Sequence, residues 1–280
     1  MNDTPAPAAA AGTITIGGDL RVNRLGFGAM RLTGPGIWGD PKDLQAARRV
    51  LHRALELGID FIDTADSYGP DVSERLIAET LHPYPRGLVI ATKGGLVRPA
   101  RDVWERRGNP AHLRQACEAS LKRLRVERID LYQFHAPDPR VRLEDSLGEL
   151  AKLQQEGKIR HIGVSNFSVA ELERAAAIVK VVSVQNRYNV TNRRSDDVIA
   201  YCEHRKIAFI PHSPLGAGEH VGRDSGSREL ERIAKQHSMT TAQAALAWLL
   251  ARSPAMLPIP GTSSVAHLEE NVAAAGVGIQ

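Results

Sequence analysis

The chain has 280 residues, 42% of them hydrophobic and 24% charged, with a formal net charge of +4. That length buries a sizeable core without disulfide staples. The small charge excess is scattered among residues of both signs and argues against nucleic acid as a partner, and no apolar run reaches the length of a membrane span.

Met1–Gly12 has neither a basic start nor a long apolar stretch, so it reads as a flexible arm rather than a secretory signal. A hairpin follows, Thr13–Ile16 and Leu20–Asn23, joined by Gly17-Gly18-Asp19. Short apolar runs then alternate with amphipathic segments. Strands are predicted at Leu25–Phe27, Ile59–Ile62, Leu88–Ala91, Ile129–Phe134, His161–Val164, Val182–Val184, Ala208–Pro211 and Met256–Ile259. Helices are predicted near 43–57, 71–81, 111–124, 143–156, 168–178, 195–205, 240–251 and 264–273, with a short extra one at 227–236.

Asn109-Pro110 supplies an N-cap followed by a first-turn proline, Ser168 opens a capping box, and Gly58 and Gly157 stand where helices end. Leu143, Leu147, Leu150 and Leu153 share one helical face and read as core. Cys117 and Cys202 both fall in predicted helices without CxxC spacing, as in a reduced, cytoplasmic protein. Eight β-then-α units without an internal linker predict one α/β domain over 13–280, a (β/α)8 TIM barrel with a short N-terminal β-hairpin. An open doubly wound sheet is the structural alternative.

Catalytic groups of such a barrel sit at the C-terminal ends of its strands. The second strand ends in Asp63, with Tyr68 close behind; the third ends in Lys93 and the fourth in His135. Singly, each reads more readily as a loop contact, a cap or a structural residue. Together they suit carbonyl reduction, which needs a proton on oxygen as well as a hydride on carbon. Tyr68 can supply the proton, Lys93 can lower its pKa, Asp63 can hold Lys93 charged, and His135 can orient the carbonyl.

Asp63-Thr-Ala-Asp-Ser-Tyr-Gly69 resembles the DTAxxYG stretch of the aldo-keto reductases, and Lys93 and His135 complete what looks like that family's tetrad. Gly163-Val-Ser-Asn-Phe167 resembles the segment whose Ser and Asn hold the nicotinamide carboxamide, here Ser165 and Asn166, joined by Gln185. Ser213-Pro-Leu215-Gly216 resembles the pyrophosphate segment, and His212 just before it belongs to the same cofactor set. Gly261, Thr262, Ser263, His267, Glu270 and Asn271 resemble the adenosine-phosphate segment. Gly28 and Met30, after the first strand, belong to the same cofactor set.

The likeness runs from about Asn23 to Asn271, and is nearest to a bacterial pyridoxal reductase-like subgroup. It implies an enzyme that reduces aldehydes and ketones to alcohols with NADPH, NADH being possible, as a monomer or weak oligomer. Gly261 and His267 stand where strict NADPH users carry Lys and Arg, and His212 stands where relatives stack an aromatic ring on the nicotinamide. The chain ends at Gln280, where relatives continue beside the substrate pocket.

Met30, Trp38 and Trp104 are candidates for the substrate wall. Gly34-Pro-Gly-Ile-Trp-Gly39 fits GxGxxG, but Pro35 and Trp38 make it a loop rather than a strand-to-helix turn. The ten histidines show no metal-binding spacing. Two other readings stay open: a nucleotide-binding redox sensor or regulatory subunit with little turnover, and a lyase using Lys93 for a Schiff base.

Overall fold

The computed structural model describes residues 6–216 and 225–278. Strands β1 (Thr13–Ile16) and β2 (Leu20–Asn23) form the expected antiparallel hairpin. The chain then alternates: β3 (Phe27–Gly28), α1 (Leu44–Glu56), β4 (Phe61–Asp63), α2 (Val72–Leu81), β5 (Val89–Gly94). A second hairpin follows, β6 (Leu96–Ala100) with β7 (Val103–Arg106), where the sequence suggests only a loop. The alternation resumes with α3 (Pro110–Leu124), β8 (Ile129–Phe134), α4 (Leu143–Gln155), β9 (Ile159–Ser165) and α5 (Val169–Ala176). It continues with β10 (Val181–Gln185), α6 (Asp196–Arg205), β11 (Ala208–Phe209), α7 (Ser225–Gln236), α8 (Thr241–Arg252) and α9 (Val265–Ala273).

Several helices begin where a side chain satisfies a free N–H group. Asp43 and Asn109 each accept from the amide three residues on, both at 2.8 Å. Ser168 with Glu171, and Thr240 with Gln243, form complete capping boxes. The predicted leucine stripe of α4 is buried between helix and sheet.

Seven strands form one curled parallel sheet, ordered β11-β10-β9-β8-β5-β4-β3. The eighth expected strand is irregular, yet its backbone bonds to both sheet edges. Phe209 N donates to Ala255 O at 2.8 Å and Leu257 N to Phe209 O at 2.9 Å. On the other side Gly26 N donates to Pro258 O at 2.9 Å and Gly28 N to Pro260 O at 3.3 Å. The residues facing β3 are both prolines, which accept but cannot donate, so that ladder runs in one direction only. The backbones approach closely here: a Cβ on Gly28 would lie 2.6 Å from Ile259 O, and one on Gly261 2.5 Å from Gly28 O.

The N-terminal hairpin packs Ile16, Leu20 and Val22 against inward side chains of the sheet, including Phe61, Val89, Leu131 and Leu257. Its turn is tied to the start of β9, where Arg160 and His161 both reach Asp19. It therefore covers the end of the sheet opposite the strand C-termini. The flexible arm expected over 1–12 needs correction, although its first five residues lie outside the described ones. Pro7–Ala11 is a 3-10 turn, Ala8 is fully buried, and Ala8 N donates to Leu57 O at 2.9 Å. A run of small apolar residues reads as featureless in sequence but fits a narrow groove at the end of α1.

Ile16 is 1% exposed within this floor. Ile16→Ala is expected to lower unfolding free energy by about 2–4 kcal/mol, measured by urea denaturation. A loss below about 1 kcal/mol would mean that the hairpin does not close the core.

Candidate active site

The chemistry-bearing residues lie on one rim. Asp63 ends β4, Lys93 stands next to last in β5, His135 follows β8, and Ser165 and Gln185 end β9 and β10. Strand alternation sends Leu131, Gln133 and His135 to the same side of β8, so a polar residue faces inward just below His135.

Lys93 has no exposed surface and Asp63 is 2% exposed. Lys93 Nζ donates to Asp63 Oδ1 at 2.5 Å, to Thr64 O at 2.9 Å and to Tyr68 Oη at 3.2 Å. The other carboxylate oxygen accepts from Gln133 Nε2 at 2.9 Å and from Gln185 Nε2 at 2.8 Å. His135 packs edge-on to the Tyr68 ring, with centroids 6.0 Å apart, and its Nδ1 lies 3.5 Å from Ser67 Oγ.

Burial pulls the Lys93 ammonium down, but Asp63 and Tyr68 together outweigh it and hold the pKa above its usual value. Tyr68 corrects the sequence expectation. Burial raises its phenol above the usual 10, and the opposing pull of Lys93 does not reverse this. Tyr68 therefore keeps its proton at neutral pH. Burial, helped by Lys93 and His212, pushes His135 well below 6.5, so its ring is neutral.

A cavity of about 470 Å³ opens onto this group. Tyr68, His135 and Asp63 line it, and so do Gly28, Met30, Ser165, Asn166, Gln185, His212, Ser213, Leu215 and Gly261 from the expected cofactor set. Thr262 and Ser263 line a neighbouring cavity of about 520 Å³, which shares Met30, Arg31 and Gly261 with the first. Gly216 lines a smaller adjoining recess instead. His267, Glu270 and Asn271 sit on α9 and line none of these cavities; His267 is exposed and Asn271 buried. Of the substrate-wall candidates, Met30 and Trp104 line the cavity that holds Tyr68 and His135. Trp38 does not; it packs behind, against Arg98.

Residues 24–277 match the profile of the Aldo/keto reductase family. The chain belongs to the aldo/keto reductase family. It is a nicotinamide-dependent oxidoreductase. This aldo/keto reductase is 51% identical over 270 residues to an uncharacterized oxidoreductase of Schizosaccharomyces pombe, covering 96% of this chain and 87% of that one. It is 42% identical to pyridoxine 4-dehydrogenase of Escherichia coli, covering 94% and 92%. The latter likeness agrees with the pyridoxal reductase-like subgroup that the motifs suggest. Among solved structures, glycerol dehydrogenase from Gluconobacter oxydans superposes with a TM-score of 0.85 at 29% identity, covering 97% of this chain and 92% of that one.

Sequence reasoning on this reductase missed Gln133 and Arg31. Gln133 had a readable signal, its inward position two residues before His135. Arg31 lines both cavities and makes no ion pair among the described residues; nothing in its local sequence announces that. The glycine at 261 also gains a cause, because any side chain there meets the Gly28 carbonyl.

Burial, with help from Lys93 and Arg187, lowers His212 to about 4. Between that value and the unfolded value near 6.5, only the unfolded chain binds a proton at this position, so its contribution to stability rises with pH there. Urea unfolding midpoints of the wild type should fall more steeply from pH 6.5 to 4 than those of His212→Phe. Parallel slopes would show that His212 is not held neutral.

Proposed function

We propose that this protein is a (β/α)8-barrel reductase that converts aldehydes or ketones to alcohols using NADPH, with Tyr68 as the proton donor. The observation that carries this reading is the Tyr68 hydroxyl, still protonated, 3.2 Å from a buried ammonium at the mouth of a cavity large enough for a small carbonyl compound. The backbone bonds from the 255–260 segment to both sheet edges support closure of the barrel.

The dinucleotide, when bound, supplies the hydride. The residues of this chain do the rest. Tyr68 Oη donates its proton to the carbonyl oxygen as negative charge develops there. Lys93 stabilises the phenolate left behind, and Asp63 keeps Lys93 charged and oriented. Neutral His135 donates a hydrogen bond that fixes the carbonyl and does not itself titrate.

The residues present fit a dinucleotide. Asn166 is exposed beside the tetrad, with its Nδ2 on His135 O at 3.0 Å and on Ser165 Oγ at 3.1 Å, so Ser165 and Asn166 can face a carboxamide. Arg31 and Lys42, beside Thr262 and Ser263, offer positive charge to phosphate groups and make up for what Gly261 and His267 lack. A lyase reading fits poorly, because Lys93 is held as a fully hydrogen-bonded ammonium rather than a free amine.

Tyr68→Phe should lower kcat with an aromatic aldehyde by about 10²–10⁴-fold while NADPH affinity stays unchanged. Near-normal turnover would remove Tyr68 as the acid. Cofactor binding without turnover in the wild type would favour a redox sensor. The wild-type pH profile of kcat/KM should be flat from pH 6 to 8, since Tyr68 titrates above and His135 below that window. An inflection near 6.5 would make His135 the titrating acid.

Arg31→Met should narrow the NADPH-over-NADH preference by about tenfold, the scale of one charge-assisted phosphate contact. An unchanged ratio would place the 2′-phosphate elsewhere.

A further inference from the structure

Arg98 lies in β6, at the point where its pairing with β7 slips register. The surrounding hairpin is largely exposed, yet Arg98 is only 6% exposed. Its guanidinium carbon lies 3.8 Å from the Trp104 ring centroid and 5.4 Å from that of Trp38. Its terminal nitrogens donate to Ile37 O at 3.0 Å, to Gly36 O at 3.1 Å and to Arg101 O. Nε has no hydrogen-bond partner, and no carboxylate forms an ion pair with this cation among the described residues. Asp102 attracts this cation without reaching ion-pair distance; a nearly buried cation so weakly compensated is costly, and a planar, weakly hydrated guanidinium lying against two indoles is the form that bears that cost best.

The consequence falls on Trp104. One face of its indole is covered by Arg98, while the residue remains 41% exposed and lines the cavity that holds Tyr68 and His135. The same guanidinium grips the loop at Gly36–Trp38, and that loop is pinned beside the proton donor. Trp38 bridges to Gly69, and Gly39 N donates to Gly69 O at 2.5 Å. Arg101 adds a bond to Pro35 O at 2.6 Å.

We propose that Arg98 is a specificity-determining positioning residue, which holds Trp104 as a flat wall of the catalytic cavity so that its free face selects planar aromatic carbonyl substrates. This rests on the reductase reading of that cavity. Arg98 touches neither substrate nor cofactor; it acts through the indole.

The test compares benzaldehyde with cyclohexanecarbaldehyde, which match in size and differ in planarity, in wild type, Arg98→Met, Arg98→Lys and Trp104→Ala. Arg98→Met should lower kcat/KM for benzaldehyde by about fivefold, through KM, because one stacking contact is worth about that much. The cyclohexyl compound should change less than about twofold, with kcat and NADPH affinity held. Arg98→Lys keeps the charge without the planar fork and should follow Arg98→Met. Adding Arg98→Met to Trp104→Ala should bring no further loss of discrimination. Equal losses for both aldehydes, or an unchanged ratio, would overturn the proposal while leaving the reductase reading intact. A wild type that binds NADPH but reduces neither aldehyde would instead overturn the reductase reading, and this assignment with it.

Discussion

An ammonium with no exposed surface has to be neutralised within its own reach, and the rim of this sheet is organised around that requirement. Lys93 finds Asp63 on the neighbouring strand, and the carboxylate then needs partners for its second oxygen. Gln133 and Gln185, from strands further round the sheet, supply them. Four strands are thus tied at their ends by one charge pair. Breaking a buried pair by removing one partner typically costs about 3–5 kcal/mol, because the survivor remains buried and uncompensated. That penalty fixes the position of Lys93 and, through the 3.2 Å contact, of Tyr68.

The two ends of the sheet divide the work. At one end the N-terminal hairpin fills the interior with apolar side chains and is latched by Asp19 to Arg160 and His161. At the other end the interior turns polar, and the loops after the strands carry the cavity walls. A change in those loops therefore leaves the apolar floor untouched, which is how one scaffold tolerates many substrate pockets.

Much of this could be read from the residues. The helices were legible because their caps and apolar stripes act locally: Asn109, Ser168 and the α4 leucines behave in the fold as they read in the chain. The clustering of Asp63, Tyr68, Lys93 and His135 was legible because each ends or closely follows a strand, which places all four on one rim. What escaped depends on long-range packing. The order of residues 7–11 comes from a groove beside Leu57, and the β6–β7 hairpin is held by Arg98 rather than by an alternating apolar pattern. The Tyr68 phenol was misjudged because the charge of Lys93 is visible in sequence, whereas the burial that outweighs it is not. Trp38 was expected on the cavity wall, yet it packs against Arg98, whose guanidinium lies over Trp104 on that wall.

Pro258 and Pro260 give the sheet a seam. Between β3 and the last extended segment, hydrogen bonds run from Gly26 and Gly28 toward the prolines and none return from the proline nitrogens. Gly28, Ile259, Pro260 and Gly261 at this seam are also cavity-lining residues. The seam therefore coincides with a stretch of the pocket wall, on the side of the sheet where Gly28 pairs in register with Asp63 of the buried ion pair.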